Sequence, residues 1–127
     1  MTTITVETDS YSTARQIADI LDDKKAEHIT LLDVSDLIQI TEVFVIATGN
    51  SRRQILTLAD ELSVQMKAAD HGPLRTEGRE DALWMLIDFG DVVVHLFQLE
   101  PRRHYDLERL WGNAPRLEWE PAAVGEG

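Results

Sequence analysis

The stretch EVFVIATGNSRRQ, Glu42 to Gln54, runs from an unbroken apolar segment through a Gly-Asn-Ser turn into two arginines. In EVFVIAT, Glu42 to Thr48, apolar residues follow one another instead of alternating with polar ones. That pattern predicts a strand covered on both faces. Beyond the turn, Ile55, Leu58, Ala59, Leu62, Met66 and Ala69 form one stripe at helical spacing. They predict a helix over Ser51 to His71. Gly72 is expected to close that helix because it tolerates positive φ, and Pro73 prevents continuation. A doubly covered strand leading directly into an amphipathic helix places the chain among α/β folds.

The turn poses a functional question, since a helix N-terminus after a strand is a common phosphate site. A Walker loop needs a longer glycine-rich run and a Lys followed by Ser or Thr, which is absent, as is G-x-G-x-x-G. Strand, Gly-Asn-Ser and helix are similar to the nucleotidyltransferase arrangement. That chemistry needs paired carboxylates to hold two metal ions, because hard cations take oxygen ligands. The next acidic residues, Asp60 and Glu61, lie more than two turns into the helix. Ser51 and Gln54 also fit S-x-x-Q, a capping box, whose loss costs about 1 kcal/mol. The loop therefore carries two readings, a helix cap and an anion site. Arg52 and Arg53 fit the first poorly, because positive charge in the first turn opposes the helix dipole.

Outward from this stretch, Ala14, Ile17, Ala18 and Leu21 predict a helix over Ser10 to Ala26, with Lys24 and Lys25 at its negative end. HITLLDV, His28 to Val34, predicts a strand, while Ser35 to Ile40 fits no single element. Leu83 to Asp88 and Val92 to Leu99 predict two strands joined as a hairpin through Phe89-Gly90-Asp91. Pro101 suits the first turn of a last helix carrying Leu107, Leu110 and Trp111. The expected order is α-β-β-α-β-β-α, a single α/β (α+β) domain with a mixed sheet packed with helices over residues 1–111. Residues 112–127 have no periodicity and are expected to form a loosely ordered tail.

At 127 residues the chain suffices for one domain with a core. No cysteine is present, which excludes disulfides, thiol catalysis and cysteine-ligated metals and agrees with a reducing, cytoplasmic location. Residues 1–13 have neither the basic nor the apolar part of a signal peptide, and no apolar run reaches the roughly 20 residues of a membrane span. The net charge of −11 repels nucleic-acid phosphates and favours basic partners, although its simplest role is solubility.

Other candidate groups are sparse. Asp88 and Asp91 flank Gly90, where aspartates mainly shape turns. His95 sits inside an apolar strand, and His28, His71 and His104 have no metal-ligand spacing. Tyr105 lies two positions before Leu107, roughly 200° around a helix, so it points away from the core stripe. Tyr105 and Trp84 are candidate interface anchors; alternatively each completes the core.

GDVVVHLFQLEPRRHYDLERLW, Gly90 to Trp111, is preceded by Glu77-Gly78, Trp84 and Asp88, and further upstream by Val45-Ile46-Ala47-Thr48-Gly49 and Ser51. Together these resemble the ribosomal silencing factor family, RsfS or Iojap, from about Ser10 to Trp111. The resemblance implies a nucleotidyltransferase-like fold without catalysis, cofactor or metal. It implies binding to large-subunit ribosomal protein fourteen and a steric block on subunit joining that lowers translation, with a homodimer when free and no DNA or membrane partner. It places the partner contacts at Glu77, Trp84, Asp88, Tyr105, Leu107, Glu108 and Trp111. Glu42 departs from the Asp usual in that family. The alternative is a nucleotide-binding or nucleotidyltransferase-like enzyme using the Gly49 to Arg53 loop.

Overall fold

In the computed structural model, residues 2–37 and 40–119 are described, with side chains from Ser10 onward except those of Glu108 and Leu110. The elements are α1 (Thr2–Asp23), β1 (Glu27–Asp33), β2 (Val43–Gly49), α2 (Arg52–Ala68), β3 (Arg75–Glu77), β4 (Trp84–Asp88), β5 (Val92–Gln98), α3 (Leu99–Tyr105), α4 (Leu107–Leu110) and β6 (Arg116–Leu117). The strands form one six-stranded sheet in the order β3-β4-β5-β2-β1-β6. β2 and β5 run parallel, with Val43 opposite Val92 and Gly49 opposite Gln98. The other neighbouring pairs are antiparallel. The expected single mixed α+β sheet is what forms.

β2 lies between β5 and β1, and every one of its residues is buried. That is the doubly covered strand its apolar run predicts. On one face α1 and α2 pack Ala14, Ile17, Leu21, Leu58, Leu62 and Met66 against Val43, Val45, Met85, Ile87 and Val94. On the other face Leu32, Phe44, Ile46 and Phe97 meet Leu107 and Ala114. Among the described residues, the helices over this second face are the short α3 and α4, and that asymmetry leaves room for a surface site.

Several boundaries differ from the sequence expectation. α1 begins eight residues earlier than Ser10. α2 ends at Ala68, and Asp70, not Gly72, takes the left-handed conformation, with φ 65. The amide of His71 reaches the Met66 carbonyl at 2.7 Å and that of Asp70 reaches Lys67 at 2.9 Å, a Schellman closure built on an aspartate. The single last helix is broken at Asp106, φ 49, into α3 and α4.

Two strands have no periodic signal. β3 is three residues long and exposed; its Arg75–Glu77 ion pair, 2.7 Å, places charge on a sheet edge and discourages further pairing. β6 lies in the segment expected to be a loose tail. Its backbone pairs with Leu31 and Leu32, Trp119 donates to Asp19 of α1 at 2.9 Å, and the Tyr11 hydroxyl donates to the Glu118 carbonyl. Residues 112–119 are thus ordered by pairing with β1 and α1; residues 120–127 of that segment lie outside the described ones.

Candidate functional site

Strand alternation builds the second face. In β4, Met85 and Ile87 point to α1 and α2, so Trp84, Leu86 and Asp88 point the other way. Directly opposite them on β5 are Phe97, His95 and Val93. β3 continues the rows, with Glu77 opposite Leu86 and Arg75 opposite Asp88. Residues as far apart in sequence as Arg75 and Phe97 therefore share one surface.

Trp84 is the centre of this surface. Its ring stacks on Phe97 at 5.0 Å and meets Tyr105 at 4.7 Å. Its Nε1 donates to His95 Nδ1 at 3.1 Å. His95 must then carry its proton on Nε2, and that atom is buried with no hydrogen-bond partner among the described residues. Burial lowers the His95 pKa from 6.5 to about 4. Phe44 meets His95 edge-on at 4.6 Å and Trp111 at 5.7 Å. The result is a row of rings from Tyr105 to Trp111 running across β4, β5 and β2.

The expected contact residues fall into distinct positions. Glu77, Trp84, Asp88, Tyr105 and Trp111 lie on or beside this face, Tyr105 being 52% exposed. Asp88 also accepts from the Gly90 amide at 2.8 Å and so shapes the hairpin turn, where Gly90 has φ +95. Leu107 is 6% exposed and belongs to the core beneath α4, so it packs where the sequence expectation has it touch a partner. The Glu108 side chain lies outside the described ones. His95, which the sequence marks as a polar residue inside the apolar run VVVHLF, joins the site through Trp84.

Between β4 and α3 a hollow of about 630 Å³ is lined by Asp81, Leu83, Trp84, Glu100, His104 and Tyr105. Two carboxylates and two aromatic rings at one concavity suit a cationic side chain, which gains from both ion pairing and the ring faces.

In the Gly49 to Arg53 loop the Asn50 amide, Ser51 and Arg52 are engaged by other groups of the protein. Gln54 donates its amide to Ser51 Oγ at 3.1 Å, so Ser51 caps α2. The return bond goes from the Asn50 amide to Gln54 Oε1, one residue earlier than a capping box would place it. Arg52 donates to the Glu80 carbonyl through Nε at 3.2 Å and NH2 at 2.9 Å, tying the turn after β3 to α2. Glu42 accepts from the Ser10 hydroxyl at 2.7 Å and fastens α1 to the start of β2. Among the described residues no group of three or more His, Cys, Asp or Glu could hold a metal ion, and no helix is long and apolar enough to cross a membrane.

The model of the RsfS family, described as ribosomal silencing factor during starvation, matches residues 7–126. Ribosomal silencing factor RsfS of Halalkalibacterium halodurans is 44% identical over 100 residues, covering 79% of this chain and 86% of that protein. Ribosomal silencing factor RsfS of Bacillus subtilis is 42% identical over 94 residues, covering 74% and 80%. A crystal structure of a protein from Bacillus halodurans superposes with a TM-score of 0.75 at 37% identity, covering 85% of this chain and 98% of that one.

Proposed function

The chain belongs to the RsfS family, ribosomal silencing factors during starvation, and from that premise we propose that it binds large-subunit ribosomal protein fourteen through its aromatic sheet face. Bound there, it occupies the space the small subunit needs and represses translation by bulk, without catalysis. Glu77, Trp84, Asp88, Tyr105, Glu108 and Trp111 form or border the contact, and Leu107 holds α4 beneath it. Free in solution the chain forms a homodimer, in the cytoplasm.

The observation that carries this reading is the hollow of Trp84, Tyr105, Asp81 and Glu100 on a chain of net charge −11. Nucleic acid is a poor occupant of an acidic hollow, whereas a basic ribosomal protein is a good one. Tyr and Trp at a concavity are the residue types that dominate interface energies. An interface of roughly 800 Å² per partner would suffice to hold the domain.

Co-sedimentation tests it. The protein is expected to pellet with isolated large subunits and not with joined ribosomes. Equal retention on both would rule out the steric block. Loss of large-subunit binding in reconstituted particles lacking protein fourteen identifies the partner, and undiminished binding there rejects it.

A further inference from the structure

The cations of this acidic chain are unevenly placed. Arg102, Arg103 and Arg116 line, together with His28, one concavity of about 540 Å³, in which Asp106 is the acidic lining residue. With 23 Asp and Glu against 12 Lys and Arg in the chain, three arginines around one hollow reverse the prevailing sign. Arg102 is fixed in its wall: it is 8% exposed and donates to Thr48 Oγ1 at 2.8 Å, to Thr30 Oγ1 at 3.3 Å and to the His28 carbonyl. Arg103 and Arg116 are exposed, and among the described residues neither side chain has a hydrogen bond or ion pair. Like charges held together repel, and an anion between them removes that repulsion.

We propose that this hollow, and not the Gly-Asn-Ser turn, is a binding site for a phosphate-bearing ligand of nucleotide size. The guanidinium fork matches phosphate oxygens two at a time. The volume falls within the roughly 300–1,000 Å³ of small-molecule sites, and Ile29 and Leu99 supply apolar wall. The position agrees as well. Thr48 is near the carboxyl end of β2 and Leu99 follows that of β5, the parallel pair, and ligands of open α/β sheets bind beyond such ends. The acidity of the remaining surface repels long polyanions, so a compact phosphoryl group fits better than RNA. This site does not depend on the ribosomal reading.

The test titrates the full chain with inorganic pyrophosphate and, separately, with a short single-stranded RNA by calorimetry. Pyrophosphate is expected to bind, and Arg103→Ala/Arg116→Ala to weaken it about tenfold or more. Arg53→Ala/Lys67→Ala, with the same charge change elsewhere, is expected to leave it unchanged. Amide shifts of the wild-type protein on adding pyrophosphate should concentrate at residues 28–30, 99–106 and 116, a readout that needs no variant. Absence of pyrophosphate binding at millimolar concentration, equal weakening in both double variants, shifts centred elsewhere, or tighter binding of RNA than of pyrophosphate each overturns the proposal.

Discussion

Trp84 joins ring packing to a buried hydrogen bond. It is half-buried between Phe97 and Tyr105, and its indole donates a hydrogen bond to His95. Trp84→Ala is expected to cost on the order of 3 kcal/mol of stability as well as large-subunit binding, because it opens a cavity and orphans a buried ring nitrogen. Tyr105, about half exposed, is the cleaner probe: Tyr105→Ala is expected to change stability by about 1 kcal/mol or less while weakening binding about tenfold or more. Urea unfolding alongside co-sedimentation distinguishes the two, and a large stability loss with Tyr105→Ala would make that residue a core element. His95 gives a pH prediction. Its folded pKa of about 4 lies below the ordinary 6.5, so above pH 6.5 both states are neutral and this residue adds no pH dependence. Between 6.5 and about 4 the unfolded state takes up a proton that the folded state refuses, and stability falls by on the order of 2–3 kcal/mol. His95→Gln should lack that part of the decline in urea unfolding at pH 7.5 and 4.5; an unchanged decline would assign it to the carboxylates.

At the scale of elements, α2 shows how two ends of one helix are closed differently. Its start is secured by the Ser51 side chain, so Ser51→Ala is expected to lower stability by about 1 kcal/mol in thermal unfolding. Its end carries a left-handed Asp70, a conformation that strains any residue with a Cβ. Asp70→Gly should therefore raise stability by up to about 1 kcal/mol, and a loss of similar size would show that the Asp70 side chain stabilises the turn. Gly78, by contrast, has φ +87 and sits where a Cβ would lie 2.2 Å from the Trp84 carbonyl. Gly78 of the Glu77-Gly78 pair noted in the sequence is thus needed for the backbone path that carries the chain from β3 back to β4. Arg52, unexplained as part of a helix start, is the tether of that same path through the Glu80 carbonyl.

At the scale of the whole molecule, charge and shape are divided between regions. The chain is acidic overall, and the aromatic hollow carries Asp81 and Glu100, while the arginine hollow beside β1 and β2 has the opposite sign. Binding to a basic partner through the acidic side is expected to weaken as salt is raised, because the Debye length shrinks from ~10 Å at 0.1 M to ~3 Å at 1 M. Co-sedimentation with large subunits over that range measures it, and a flat response would remove electrostatics from the recognition.

The core of this fold was legible in sequence because it is built from local periodicities. The continuous run Glu42 to Thr48 marked the buried central strand. The stripe from Ile55 to Met66 marked the helix beside it, and Phe89-Gly90-Asp91 marked the hairpin. Trp84 and Tyr105 stood out as candidate anchors and Trp111 as part of a helical stripe, but their common face was not visible. It follows from β4 and β5 pairing in one register and from the chain breaking at Asp106. β3 and β6 carry too few residues to show a period, and they exist because existing strand edges pair with their backbones. Gly72 and Asp70 show the same division, since composition favoured the glycine while the path of the chain fixed the left-handed turn two residues earlier. Local chemistry set which segments become helices and strands. Only the tertiary structure decided which side chains meet, because strand register and the pairing of distant edges depend on the whole chain closing around one core.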